Sequence, residues 1–178
     1  VCGIKIFMGS STGTLLVNDQ EPLEEIFGDG DRLIAVHAED ENRLNERIAQ
    51  YAGQTDPALH PVIRDVKSAC LATARAFDLS KRHNRRLHLL HTTTADEVQM
   101  LREAKDGTGR ISAEACPQHL FLSAPEIYER IGTLAQMNPP IRSKEHAEGL
   151  WAGLRDGTID CIATDHAPHT LDEKAKPY

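Results

Sequence analysis

Five short apolar runs, separated by segments with a helical pattern, constrain the fold of this chain more than any other feature. The runs are Ile4–Met8, Leu33–Val36, Leu87–Leu90, Ile111–Ala115 and Cys161–Ala163. Each has the length of an ordinary β-strand, and we read them as continuous rather than alternating runs. Continuous apolar strands are typical of parallel sheets covered on both faces. The pattern therefore predicts an α/β fold in which right-handed crossovers join parallel strands.

Three helices between these runs have readable boundaries. Thr94 and Glu97 have the spacing of a capping box, which predicts a helix that begins there. A longer amphipathic pattern predicts one helix over Pro57–Phe77, and another is predicted over Ser143–Leu154. Helices in these positions are the crossover connections that parallel strands need.

The number of strands limits the architecture. The chain has 178 residues, whereas a closed eight-stranded β/α barrel typically needs about 250. Five strands therefore indicate either an open α/β sheet or part of a barrel. No linker or repeat divides the sequence, so we expect one domain over residues 1–178.

The acidic composition excludes two classes of partner. With 20 Lys and Arg against 27 Asp and Glu, the formal net charge is −7, which disfavours binding to nucleic acid or anionic membranes. No apolar run approaches the roughly 20 residues that cross a bilayer, and no signal peptide is visible. The four cysteines form no C-x-x-C pair and are expected to be reduced thiols. We therefore expect a cytoplasmic protein.

Four ionisable residues lie in the predicted strands or directly after them. His37 and His91 follow the second and third runs, Asp165 follows the fifth, and Lys5 lies within the first. The C-terminal ends of parallel strands are where α/β folds place their functional sites. These four residues therefore form one candidate group.

Each residue of this group also has an ordinary structural interpretation. A histidine after a strand is usually a hydrogen-bonded structural residue, and Asp165 could cap a helix. Lys5 is harder to explain, because a buried ammonium is costly without a partner. Together, two imidazoles, a carboxylate and a lysine on one rim indicate a metal site. An ammonium cannot bind a metal, but a lysine that has reacted with CO₂ becomes a carbamate that can bridge two cations.

Five segments of the chain, in this order, resemble the dihydroorotases of the amidohydrolase superfamily. They are Gly3–Gly13, Val36–Glu39, Leu90–Thr94, Met137–Arg142 and Ala163–His169. The resemblance implies a (β/α)8 barrel of which this chain covers about strands four to eight with their helices. The family's His-x-His motif of strand one and the parts that flank the barrel are missing, so we expect a fragment that lacks N-terminal and C-terminal parts.

The resemblance also implies a ligand set for two zinc ions. Lys5 would be carboxylated and bridge both ions, while His37 and His91 would hold the more exposed one. Asp165 would bind the more buried ion and transfer protons as the catalytic residue. For this fragment alone, we expect at most one weakly bound metal and no activity.

Substrate contacts are implied by the same comparison. Asn138 would contact the dihydropyrimidine ring, and His169 would contact the substrate carboxylate. His88 and His166 match no ligand position and are interpreted as structural. His119 matches a family segment, but we assign it no role.

The implied reaction is the reversible cyclisation of N-carbamoyl-L-aspartate to L-dihydroorotate in de novo pyrimidine biosynthesis. An enzyme with this activity is a hydrolase that acts on the C–N bond of a cyclic amide, so the resemblance implies a small-molecule substrate for the parent protein. Homo-oligomerisation and association with aspartate transcarbamoylase would also fit the family.

Two alternatives remain. Hydantoinases, dihydropyrimidinases and allantoinases share the barrel, the carboxylated lysine and the metal-binding histidines, but lack the Asp-His-Ala-Pro-His segment at residues 165–169. The chain could also be a catalytically silent homologue that serves as a scaffold for a partner enzyme. Such homologues usually lose metal ligands, whereas all four candidates are present here.

Overall fold

The computed structural model describes residues 2–11 and 15–178. Thr12 and Gly13, at the end of the first family-like segment, lie outside the described residues. The five strands are β1 (Gly3–Phe7), β2 (Leu33–His37), β3 (Leu87–Leu89), β4 (Ile111–Ala115) and β5 (Cys161–Ile162). They form one parallel sheet in chain order, which confirms the predicted α/β fold and its five strands.

Helices connect consecutive strands of this sheet, and one short helix follows the last strand. They are α1 (Gln20–Gly28), α2 (Glu41–Gln50), α3 (His60–Ile63), α4 (Val66–Arg82), α5 (Ala95–Ala104), α6 (Pro117–Phe121), α7 (Glu126–Ile131), α8 (Lys144–Arg155) and α9 (Leu171–Lys174), with 3-10 turns at Pro57–Leu59 and Gly132–Ala135. Among the described residues, no helix combines the length and the apolar character that crossing a lipid bilayer requires.

The main core lies between the sheet and the helices that cover one of its faces. Ile6, Ile34 and Leu87 contribute from the strands, and Phe27 and Leu79 contribute from α1 and α4. Each of these side chains is at most 2% exposed. Burial of this aliphatic layer supplies the main favourable contribution to folding.

The opposite face of the sheet is polar, so the reading of the strands as continuous apolar runs is wrong. The parallel register places Lys5 beside Ala35, Ala35 beside His88, and His88 beside Ser112. Because side chains alternate along a strand, these residues face away from the helices that cover their apolar neighbours. Glu114, two residues after Ser112, lies on the same face. The helix-covered face therefore carries the apolar core, and the opposite face carries the ionisable side chains of these strands.

The predicted helix over Pro57–Phe77 is also wrong, because the structure divides it. The chain leaves helical geometry at Arg64, and Asp65 then caps α4 by accepting a hydrogen bond from the Ser68 N–H at 2.9 Å. The other two helix starts are confirmed: Thr94 and Glu97 form the expected capping box, and α8 follows directly after Ser143.

Candidate functional site

Two of the predicted metal ligands, His37 and His91, contact each other at the C-terminal ends of β2 and β3. Nδ1 of His37 lies 3.2 Å from Nε2 of His91, and the two rings meet edge to face. Both residues are almost completely buried, with exposed fractions of 0% and 2%. The two strands therefore present two ring nitrogens to one point.

An ion pair behind His37 sets the proton position on its ring. Nε2 of His37 lies 3.0 Å from Oε2 of Glu39, and Nε of Arg64 donates to both carboxylate oxygens at 3.2 and 3.1 Å. Burial alone would raise the pKa of Glu39, but the charge of Arg64 and the hydrogen bond from His37 hold that pKa well below its usual range. Glu39 is therefore ionised and accepts the Nε2 proton, so the tautomer that this contact favours has its lone pair on Nδ1.

His91 is held in the neutral form. Burial, followed by the electrostatic effect of His37, keeps the pKa of His91 well below its usual value. Within the described residues, its buried Nδ1 has no hydrogen-bond partner. An unprotonated imidazole nitrogen is the form that binds metals, so these two rings, with nitrogens that face each other, fit two of the protein ligands of a zinc ion.

Lys5 lies on the same face of the sheet as this pair. Ile6 beside it enters the core, whereas Lys5 is exposed on the polar face, and its Nζ lies 4.6 Å from the centre of the Phe7 ring. The register places Lys5 two residues before Phe7, which pairs with His37. Lys5 therefore projects from the face of the sheet that carries His37.

The remaining predicted residues line a separate cleft. Asn138, Asp165 and His169 all face a cavity of about 520 Å³. The buried Oδ1 of Asn138 has no hydrogen-bond partner among the described residues, so it is available to a bound molecule. His169 is held by Glu173, whose Oε2 lies 3.6 Å from Nδ1. The predicted catalytic and substrate-binding residues thus line the same cleft. His37 and His91 are not among its lining residues.

The structure does not bring the four predicted metal ligands into one cluster. Asp165 is exposed and adopts a left-handed backbone conformation with φ of 45° after the two-residue strand β5. Over residues 2–11 and 15–178, one group of three or more His, Cys, Asp or Glu residues lies within metal-binding distance, and its members are His88, Glu114 and Cys161. The proposed ligand set is therefore assembled only at the His37–His91 pair.

Sequence reasoning gave no functional role to four residues around the site. Glu39 and Arg64 position His37, and the His-Ala-Glu segment contained the signal for Glu39. His119 is buried beneath the cleft, where its Nε2 donates to the Pro139 carbonyl at 3.0 Å next to Asn138. His166, which we interpreted as structural, also lines the cleft.

Comparisons with known proteins identify relatives of the chain. No protein-family profile matches the chain. It is 37% identical to a protein named dihydroorotase from Methanosarcina acetivorans, over 96% of this chain and 38% of that protein. A dihydroorotase from Thermoanaerobacter is 39% identical over 83% of the chain and 34% of that protein. The chain thus spans less than half the length of these relatives.

Solved structures give the same fold. An L-hydantoinase (dihydropyrimidinase) from Arthrobacter aurescens superimposes with a TM-score of 0.89 at 31% identity, covering 97% of this chain and 40% of that one. A dihydropyrimidinase from Brevibacillus agri gives a TM-score of 0.85 at 28% identity, covering 96% of this chain and 38% of that one. The described strands and helices are therefore those of a partial barrel of this type.

Proposed function

Because the chain belongs to the amidohydrolase superfamily and is homologous to its dihydroorotases over nearly all of its length, we propose that the protein containing it is a dihydroorotase. This enzyme would interconvert N-carbamoyl-L-aspartate and L-dihydroorotate in pyrimidine biosynthesis. The observation that carries the proposal is the buried pair of facing ring nitrogens on His37 and His91, 3.2 Å apart at the strand ends.

Two zinc ions are the cofactors that we propose. His37 and His91 would hold one ion, Asp165 would help to hold the other, and carboxylated Lys5 would bridge them. When bound, the ions would supply the Lewis-acid chemistry that activates water and an amide carbonyl near neutral pH. Glu39 contributes by keeping the Nδ1 lone pair of His37 free for an ion.

The chain's own residues account for the remaining steps of the proposed reaction. In the hydrolytic direction, Asp165 accepts a proton from the attacking water and passes it to the leaving amide nitrogen. Asn138 orients the ring through its unpaired amide oxygen, which can accept a hydrogen bond from a ring N–H. His169 binds the substrate carboxylate by a charge-assisted hydrogen bond.

Hydantoinase or dihydropyrimidinase activity is the second candidate, favoured by the close superposition on such enzymes. Their cyclic amides, hydantoin and dihydrouracil, carry no carboxylate, so His169 would have no partner in them. Identity to the proteins named dihydroorotase is higher, at 35–39% against 22–31% for the hydantoinases.

Substrate competition separates the two candidates. The zinc-loaded full-length protein is assayed with L-dihydroorotate, hydantoin and dihydrouracil at equal concentrations. We expect turnover of dihydroorotate and little turnover of the other two. Turnover of hydantoin or dihydrouracil without dihydroorotate would assign the protein to the second candidate.

The proposal also covers the location of the protein in the cell, its oligomeric state and its partner enzyme. We propose a cytoplasmic homo-oligomer that can associate with aspartate transcarbamoylase. At the proposed catalytic centre, the 178-residue segment alone would bind at most one metal ion weakly and would have no activity, because it supplies only Asp165 and the Lys5 carbamate for the second ion.

A further inference from the structure

Three potential metal ligands meet on the polar face of the sheet, outside the proposed catalytic set. His88 on β3, Glu114 on β4 and Cys161 on β5 each offer one donor atom within 4.8 Å of the others. Glu114 and Cys161 are direct partners in the β4–β5 register. The three residues thus lie on three consecutive strands, whose backbone hydrogen bonds fix their relative positions.

Outer contacts hold His88 and Glu114 in place. Nδ1 of His88 lies 2.8 Å from the Ser112 hydroxyl, and Nε2 lies 3.0 Å from Oε2 of Glu114. A serine hydroxyl can donate or accept, so Ser112 also supports the tautomer in which Nδ1 carries the proton and Nε2 is free. Oε1 of Glu114 accepts from the His91 backbone N–H at 3.3 Å, which leaves Oε2 for another partner.

We propose that His88, Glu114 and Cys161 form a second binding site for a divalent transition-metal ion of the zinc type. Imidazole nitrogen, carboxylate and thiolate are the three ligand types that zinc accepts. The Ser112 hydroxyl can accept the Nδ1 proton of His88, which is the kind of outer contact that orients metal-bound histidines. The ion replaces the proton shared by His88 and Glu114 and the proton of the Cys161 thiol. A water molecule completes a tetrahedral site.

The charges of the ligands suit a divalent ion. Glu114 supplies a carboxylate whose Oε2 lies 3.0 Å from Nε2 of His88. Together with a Cys161 thiolate, the ligands carry two negative charges, which balance those of the ion. Lys5 projects from the same face, and in its uncarboxylated form its ammonium is expected to reduce the affinity.

The second site shares no residue with the proposed catalytic centre. None of Lys5, His37, His91 and Asp165 is among its ligands, and its thiolate distinguishes it spectroscopically. A cobalt ion bound to Cys161 would show a thiolate-to-cobalt charge-transfer band in the near ultraviolet. Cobalt held by imidazoles and carboxylates would not show this band, so the test is independent of dihydroorotase activity.

The experiment is a Co²⁺ titration of the protein followed by absorption. We expect the charge-transfer band in the unchanged protein and in Cys2→Ser, a control in which another exposed cysteine is replaced. Cys161→Ser should abolish the band, and His88→Gln should weaken Co²⁺ binding at this site by about 100-fold.

Other outcomes would overturn the proposal. It is wrong if the unchanged protein shows no such band with Co²⁺ in excess, or if Cys161→Ser keeps the band. A variant with both His37 and His91 replaced by Gln should retain the band, and loss of the band there with the fold intact would show that the cobalt–thiolate centre needs the catalytic histidines and would overturn the proposal of a separate site. Circular dichroism of each variant identifies those that fail to fold.

Discussion

His37 donates from Nε2 to Oε2 of Glu39 at 3.0 Å, and this contact decides which ring nitrogen remains free. The free nitrogen, Nδ1, is the one that faces His91. Arg64 holds the Glu39 carboxylate from the other side, so the orientation of His37 depends on a buried ion pair. The His37–His91 pair is thus prepared for an ion by residues that would not touch the ion.

The first prediction concerns this positioning role of Glu39. Glu39→Gln removes the negative charge that fixes the proton on Nε2 of His37, so the affinity for zinc should fall by about 10- to 100-fold. The measurement is the zinc dissociation constant of the full-length protein, determined by competition with a chelator. Glu46→Gln is the matched control, because the Glu46 side chain is 70% exposed and only pairs with Arg43. Equal zinc affinity in Glu39→Gln and the control would contradict the role.

The second prediction concerns the pH dependence of stability through His60. In the folded protein, burial lowers the pKa of His60 to about 4, compared with 6.5 in the unfolded state. The unfolded state therefore takes up the proton at higher pH, so stability is complete above about pH 6.5 and falls between about pH 6.5 and 4. The expected loss from this residue is about 3 kcal/mol.

A conservative variant isolates the contribution of His60. His60→Gln keeps an amide donor for the Met137 carbonyl, which now accepts from Nε2 at 2.8 Å. Urea unfolding between pH 7 and about pH 4.5 should show a shallower loss of stability for the variant than for the unchanged protein. An identical pH dependence in the two proteins would show that His60 does not titrate in this range.

The third prediction concerns the substrate carboxylate. His169→Ala removes a charge-assisted hydrogen bond worth about 1.5–3 kcal/mol, so dihydroorotate kcat/KM should fall by about 10- to 100-fold or more. Zinc content should not change, since His169 is not a proposed ligand. His83→Ala is the control, because His83 pairs with Glu24 away from the cleft, and its kinetics are expected to stay near those of the unchanged protein. Lost zinc or unaltered kinetics in His169→Ala would refute the assignment.

The fourth prediction concerns Lys5. Lys5→Ala removes the proposed carbamate bridge, so the full-length protein should lose at least one zinc ion and most of its activity. Metal analysis and the dihydroorotate assay measure both effects, and Lys67→Ala on helix α4 is the control. If Lys5→Ala kept two zinc ions and full activity, the bridging role would be wrong.

Local sequence patterns predicted the strands and placed His37, His91 and Asp165 at their ends. They did not reveal the ion pair between Arg64 and Glu39, because 25 residues separate its members and its formation depends on the break before α4. The position of Asp165 also depends on tertiary structure, since it follows an edge strand of two residues.

The polar face of the sheet was present in the sequence but was misread. Lys5, His88, Ser112 and Glu114 alternate with apolar residues, yet the short runs around them looked continuous. Only the register between strands shows that these four residues share one face. The His88, Glu114 and Cys161 group could not be recognised without that register.

The most direct test of the central claim is the zinc content of the full-length protein in which both His37 and His91 are replaced by Gln, measured together with dihydroorotate turnover. If these residues form the metal centre, the double variant should lose one tightly bound zinc ion and its activity. His83→Gln is the control, because His83 pairs with Glu24 away from the site, and it should keep both the zinc ion and the activity. Unchanged zinc content and turnover in the double variant would contradict the account.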